Sequence, residues 1–321
     1  MDGQLRHMLR DDDVNHDEQK QIIALGLKFR ENRFYKRPFE GPQGVAVLFD
    51  KPSTRTRSSF SIGVAELGGY PLVIDKSGSQ LGRGEPVADT ARVLTRMAYG
   101  IVWRTFGQER VEEMAKYATV PVVNALTDQF HPCQVLADFM TIAQFRGGVD
   151  ALAGQTIAYL GDAANNMANS YLLAGATAGM NVRIAGPYGY LPEQSIVDDA
   201  KRIAAENGGS ILVTTDPREA VEGADCVFTD TWVSMGEEAE YEKRSKPFWD
   251  YQVNDELMKL AKPDALFQHC LPAYRGKEVT ASVIDGPQSV VWDEAENRLH
   301  AQKALLTWLT GQLRGDESLL A

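Results

Sequence analysis

Between Asp50 and Ser61 the chain reads DKPSTRTRSSFS, and Ser53, Thr54, Arg55, Thr56 and Arg57 set two guanidinium groups among hydroxyls. A guanidinium offers a planar fork matched to phosphate, and hydroxyls add further donors. An apolar run, Val45 to Phe49, precedes this cluster, and a helical pattern from Ile62 to Leu67 follows it. Free N–H groups at a helix start make an anion site in their own right. The same residues also suit a helix cap with a solvated arginine pair. The G-x-x-x-x-G-K pattern is missing, so the cluster is not a nucleotide P-loop.

Other polar groups follow other apolar runs. In HPCQ, His131 and Gln134 lie three apart, so both can face one point on a helix that Pro132 would start. They could polarise a carbonyl and hold an amide nitrogen; a capping or core histidine is the alternative. Arg104 in WRTFGQ ends another run and suits either a ligand or a surface ion pair. Asp230 opens DTWVSMG, where an acidic residue suits a cationic ligand or simply a turn. Cys270 in HCLP could be a nucleophile, a polar contact or a buried small residue. GDAANNMANS has an early glycine but no G-x-G-x-x-G, which argues against a dinucleotide and so against a dehydrogenase.

These groups need elements to hold them. Strand-length apolar runs alternate with helical patterns, the rhythm of parallel sheets covered by helices. Expected strands are Val45–Asp50, Leu72–Asp75, Gly100–Arg104 and Val120–Ala125, then Thr156–Leu160, Asn181–Ala185, Ser210–Thr214, Asp225–Asp230, Ala265–His269 and Ser289–Trp292. Expected helices include Thr90–Met97, Glu109–Tyr117, one from near Pro132 to before Gly147, and a last one from about Glu294 to Thr310, with a frayed tail after it. The Gly-rich stretch RGGVDALAGQ divides the alternation, giving domains over 1–150 and 151–293. The fold class is α/β, two doubly wound domains with parallel sheets. In such sheets ligands bind beyond the carboxyl ends of strands, and each polar group above lies at such an end.

The totals set limits. Lys and Arg number 33 against 44 Asp and Glu, a net charge of −11, which speaks against nucleic acid or an anionic membrane as partner. No apolar stretch has transmembrane length. The first residues are too polar for a signal peptide, and Cys133, Cys226 and Cys270 lack zinc-ligand spacing, so a cytoplasmic protein with reduced thiols is expected.

In order along nearly the whole chain, STRTR, GSQLGR, DTARVL, HPCQ, GDAANNM, DTWVSMG, HCLP and AENRLHAQKALL resemble the aspartate/ornithine transcarbamylase family, with SMG and HCLP favouring its ornithine branch. The resemblance implies transfer of the carbamoyl group of carbamoyl phosphate to the δ-amine of ornithine, giving citrulline and phosphate in arginine metabolism. It implies that the first domain binds carbamoyl phosphate, with the last helix (about 294–321) packing back on it, and that the second binds ornithine. Ser53, Thr54, Arg55 and Thr56 would bind phosphate, and Arg104, His131 and Gln134 the carbamoyl group. Cys270 and the Leu271 carbonyl would take its amide protons, Arg298 would close from the last helix, and Gln80 would come from a neighbouring subunit. Asn166, Asp230, Ser234 and Met235 would bind ornithine. Arg104, His131, Asp230 and Cys270 would carry the catalysis, with Arg57 an ion-pair partner. A homotrimer with shared active sites is implied, and no step calls for a metal or organic cofactor.

Overall fold

The computed structural model describes residues 3–233 and 245–320. They form two compact units, Met1–Met140 with Glu296–Ala321, and Thr141–Ala295. The first holds a parallel sheet of β1 (Gly44–Phe49), β2 (Tyr70–Asp75), β3 (Ile101–Arg104) and β4 (Val122–Leu126) in the order β2-β1-β3-β4. Strands β1, β3 and β4 are buried nearly throughout, as near-continuous apolar runs covered on both faces should be. Edge strand β2 is largely open. Leu48, Trp103, Val111, Met114 and Val122 share one core beneath the sheet.

Helix α1 (His16–Glu31) precedes the sheet and is not among the expected helices. Its signal was present: Asn15 and Glu18 form a capping box, each side chain accepting from the other's N–H at 3.0 Å, and Ile22, Ile23, Leu25 and Phe29 are buried. Helix α2 (Thr54–Glu66) follows β1, and α3 (Val87–Leu94) starts and ends three residues before the expected Thr90–Met97. Pro86, whose fixed φ suits the entry to a helix, stands at its N-cap. Helix α4 (Gln108–Tyr117) packs next to α3, and α5 (Pro132–Arg146) starts at the proline of HPCQ.

The second unit's sheet contains β5 (Thr156–Leu160), β6 (Asn181–Ala185), β7 (Ser210–Thr214), β8 (Cys226–Thr229) and β9 (Leu266–His269), all parallel, in the order β7-β6-β5-β8-β9. Helices α6 (Asn166–Thr177), α7 (Gln194–Asn207) and the short α8 (Pro217–Val221) cover it. The expected strand Ser289–Trp292 is absent. Ser289 makes one isolated bridge to Phe267, and Val291 already begins the C-terminal helix, Val291–Arg314. A four-residue apolar run does not distinguish a buried strand from the first turn of a helix. The tail is also more ordered than expected: Glu317–Leu319 form a 3-10 turn capped by Asp316, and Lys36 Nζ donates to the Ser318 carbonyl.

Each sheet has one topological switch point, where connections leave in opposite directions. In the first unit it lies between β1 and β3, in the second between β5 and β8. Ligands of open α/β sheets bind just beyond the strand ends at such points. The cluster at Ser53–Thr56 follows β1, Arg104 ends β3, Asn166 follows β5 and Asp230 follows β8.

Candidate active site

In the first unit Ser53 caps α2 in an extended conformation, accepting from the Thr56 N–H at 3.2 Å and donating to Thr56 Oγ1 at 3.1 Å. The first turn of α2 therefore presents the Ser53 and Thr56 hydroxyls together with its own N–H groups, and carries no acidic residue. An anion meets donors here and no competing carboxylate in that turn. Thr56 is buried, Arg55 half-buried and Thr54 exposed. Arg57 turns away: it pairs with Asp75 and stacks over the Phe49 ring at 4.9 Å, the ion-pair role expected for it.

Arg298, on the C-terminal helix, reaches this turn. It donates to Thr56 Oγ1 at 3.5 Å and to Gln134 Oε1, while Gln134 Nε2 donates to Asp138 Oδ1 at 2.7 Å. Arg104 and His131 are both buried. Burial, then the positive charges of Arg298 and Arg104, hold the His131 imidazolium far from favour, its pKa well below the ordinary 6.5. His131 is thus a neutral imidazole at pH 7, able to offer an N–H to a carbonyl oxygen without bringing a third charge. The neighbouring Cys133 is no nucleophile. Its thiol donates to the Asn124 carbonyl at 3.4 Å and is pushed up to about 12 by burial. Gln80 sits exposed between two 3-10 turns, Lys76–Gly78 and Leu81–Arg83.

In the second unit Asp230 and Cys270 meet: Cys270 Sγ donates to Asp230 Oδ1 at 3.2 Å, and the same oxygen accepts from the Thr231 N–H at 2.7 Å. Asn166 is the first residue of α6, and the cap itself is Asn165. Asn165 accepts from the Met167 and Ala168 N–H groups at 3.0 and 3.1 Å and donates to Tyr159 Oη at 2.9 Å. Burial, then the charge of Asp230, raises the Tyr159 phenol well above 10.0, so it stays protonated and donates to the Asp162 carbonyl at 3.1 Å. Leu271 has φ +56°, the left-handed region that side chains avoid. Its N–H donates to His269 Nδ1 at 2.9 Å, which leaves the ring proton on Nε2 facing Glu278 Oε1 at 3.2 Å. Strained backbone so supported is the kind found at binding sites. Asp230, His269 and Cys270 hold ligand-type atoms within 4.8 Å of one another, but both His269 nitrogens are committed to these bonds.

Within the first unit the structure brings together Ser53, Thr56, Gln134 and Arg298, with Arg55 on the same helical turn. Within the second it joins Asp230 to Cys270, with Leu271 adjacent. Ser234 and Met235 lie outside the described residues. Sequence reasoning did not name Asp138, four residues after Gln134, nor Asn165, His269 and Glu278. The i, i+4 spacing of Gln134 and Asp138 was the one signal available. Glu278 meets His269 only through the folded loop.

Two family models match the chain: "Aspartate/ornithine carbamoyltransferase, carbamoyl-P binding domain" over residues 6–144, and "Aspartate/ornithine carbamoyltransferase, Asp/Orn binding domain" over residues 153–309. The ornithine carbamoyltransferase of Bifidobacterium longum (strain NCC 2705) is 84% identical over 321 residues, covering 100% of both chains. That of Clavibacter michiganensis subsp. michiganensis is 61% identical over 307 residues, 96% of this chain and 99% of the relative. Among solved structures, ornithine carbamoyltransferase from Pyrococcus furiosus superposes with a TM-score of 0.90 at 47% identity, covering 97% of this chain and 98% of its own. The anabolic enzyme from Campylobacter jejuni gives 0.89 at 37% identity, covering 96% and 99%.

Proposed function

The chain belongs to the aspartate/ornithine carbamoyltransferase family, and from that premise we propose the reaction and the residues that serve it. The activity is transfer of the carbamoyl group of carbamoyl phosphate to the δ-amine of L-ornithine, giving L-citrulline and phosphate, in arginine metabolism. The observation that carries this is the full-length 84% identity to an ornithine carbamoyltransferase.

Carbamoyl phosphate belongs to the first unit. Its phosphate lies on Ser53, Thr54, Arg55 and Thr56, where the hydroxyls and helix N–H groups match its charge. Its carbamoyl group faces Arg104, His131 and Gln134, and Arg298 adds a second guanidinium. Attack by the amine forms the C–N bond and places negative charge on the carbonyl oxygen. Arg104 and neutral His131 stabilise that charge from fixed positions, the kind of contribution that usually dominates catalysis. The C–O bond to phosphate then breaks, and the amine nitrogen gives up one proton, which leaves with the phosphate as hydrogen phosphate. That leaving group is already matched by the α2 turn.

Ornithine belongs to the second unit. Asp230 holds the α-amino group, Asn166 and the start of α6 the α-carboxylate, and Cys270 and the Leu271 carbonyl border the reacting amine. Ser234 and Met235 extend this set by family likeness. The amine attacks only when neutral, and an alkyl amine of this kind has an ordinary pKa of about 10.4. Activity therefore rises from neutral to alkaline pH. The protein works in the cytoplasm as a homotrimer in which Gln80 completes a neighbour's site.

The test is carbamoyl transfer from carbamoyl phosphate, followed as phosphate release, with ornithine, lysine, putrescine or aspartate as acceptor. Ornithine should give the highest kcat/KM, and putrescine surpassing it would overturn the acceptor. Sedimentation equilibrium of the same preparation should return three chains; a monomer would remove the shared-site arrangement.

A further inference from the structure

We propose that Gln302 is a positioning residue that sets the guanidinium of Arg298 for carbamoyl phosphate, tying it through Ser59 to the backbone of Arg55. The proposal rests on the assignment of Arg298 to the residues that bind carbamoyl phosphate.

A seam runs between α2 and the C-terminal helix in the first unit. On α2 the residues Thr56, Ser59, Gly63 and Glu66 lie three or four apart and so share one face. On the C-terminal helix Arg298 and Gln302 lie four apart, as do Leu299 and Lys303, so the two pairs form adjacent rows. The faces meet in order: Arg298 at Thr56, Gln302 at Ser59, Leu299 and Lys303 at Gly63, and Lys303 at Glu66. Gly63 allows the close approach, since a Cβ there would stand 3.2 Å from Lys303 Cγ and 3.5 Å from Leu299 Cδ1.

Gln302 is the polar link in this seam. Arg298, Gln302 and Ser59 are all buried. Guanidinium can only donate, so the amide atom facing it is the oxygen. In that orientation Gln302 Oε1 accepts from Arg298 Nε at 3.2 Å and from a terminal nitrogen at 2.9 Å. Its nitrogen donates to Ser59 Oγ at 2.6 Å and to the Arg298 carbonyl at 3.3 Å. Ser59 Oγ in turn donates to the Arg55 carbonyl at 2.8 Å. One amide thus fixes the Nε edge of Arg298 and ties it to the turn that carries Arg55. An arginine held in advance loses less rotamer freedom when it grips an anion.

The experiment compares Gln302→Met, which keeps the volume and removes the hydrogen bonds of the amide, with Arg298→Ala and the double variant. Gln302→Met should raise KM for carbamoyl phosphate about tenfold, the scale of one ordered side chain, and leave KM for ornithine unchanged. In the Arg298→Ala background the same change should have no further effect, because the residue acts through Arg298. Equal losses in both backgrounds, or a normal Gln302→Met enzyme beside a crippled Arg298→Ala, would overturn the assignment alone. An Arg298→Ala enzyme with normal kinetics would remove the reading beneath it as well. Should Gln302→Met fail to fold, Ser59→Ala carries the same test, with a smaller rise expected in the same constant and again none without Arg298.

Discussion

Arg55 is the residue on which phosphate binding turns most directly. Its neighbour Arg57 is committed to Asp75 and the Phe49 ring, so of the two arginines in the cluster Arg55 is the one left for a ligand. A guanidinium fork on phosphate makes two charge-assisted bonds, each worth about 1.5–3 kcal/mol. Arg55→Ala should therefore cut kcat/KM for carbamoyl phosphate by on the order of 100-fold or more. Arg55 is half-buried on the outer side of a capped helix, so the fold should survive the change. Near-normal kinetics in a folded variant would sink the assignment. His131 has its protonation set by the same environment: burial with Arg298 and Arg104 around it leaves a neutral donor.

At the scale of elements, the seam between α2 and the C-terminal helix ends in a buried ion pair whose two halves are unequal. Lys303 is fully buried, donates to Glu66 Oε2 at 2.7 Å and the Arg33 carbonyl at 2.8 Å, and lies over the Phe29 ring. Glu66 keeps a second partner in Arg33 at 2.6 Å. Glu66→Ala strands a buried ammonium and should cost about 3–5 kcal/mol. Lys303→Met keeps the apolar stem over Phe29 and leaves Glu66 paired, so it should cost clearly less. Urea midpoints of the two variants check this, and the reverse order would refute the asymmetry. None of this was visible in the sequence, where Lys303 and Glu66 lie 237 positions apart. What was visible was local. Strands β5, β6 and β7 could be bounded to the residue because buried parallel strands are short apolar runs between turns. Ser53 and Pro132 marked helix starts by cap chemistry. The errors came where local patterns are ambiguous, as at Val290-Val291, or where polar residues hid a capping box, as at Asn15. The polar groups Arg55, Arg104, His131, Asp230 and Cys270 were legible as strand-end clusters, but the Gln302 and Glu278 supports arise only from tertiary packing.

For the whole molecule, buried titrating groups confine stability to a definite pH range. Burial lowers the pKa of His7 and His131, and of His300 to about 4, against an ordinary 6.5. Below pH 6.5 the unfolded chain binds protons at these rings that the folded chain refuses. Stability is then complete above about 6.5 and lost as pH falls, each ring adding up to about 1.4 kcal/mol per pH unit. On the alkaline side the signs reverse. Cys133 is raised from 9.0 to about 12 and Tyr159 well above 10.0, both by burial first. The folded chain keeps these protons while the unfolded chain loses them, so stability is complete below about pH 9 and falls above it. Asp13, its carboxyl raised by burial from 3.8, opposes the acid loss but acts near the foot of that range. Urea midpoints read by circular dichroism should form a plateau from about pH 6.5 to 9 and fall at pH 5.5 and pH 10.5. The acid point stays above the isoelectric point of about 5.0, where self-association would intrude. His300→Gln, which removes one of the refused protons, should shallow the acid limb and leave the alkaline limb alone. A higher midpoint at pH 5.5 than at 7.5, or an acid limb unchanged in His300→Gln, would show that buried histidines do not set this boundary.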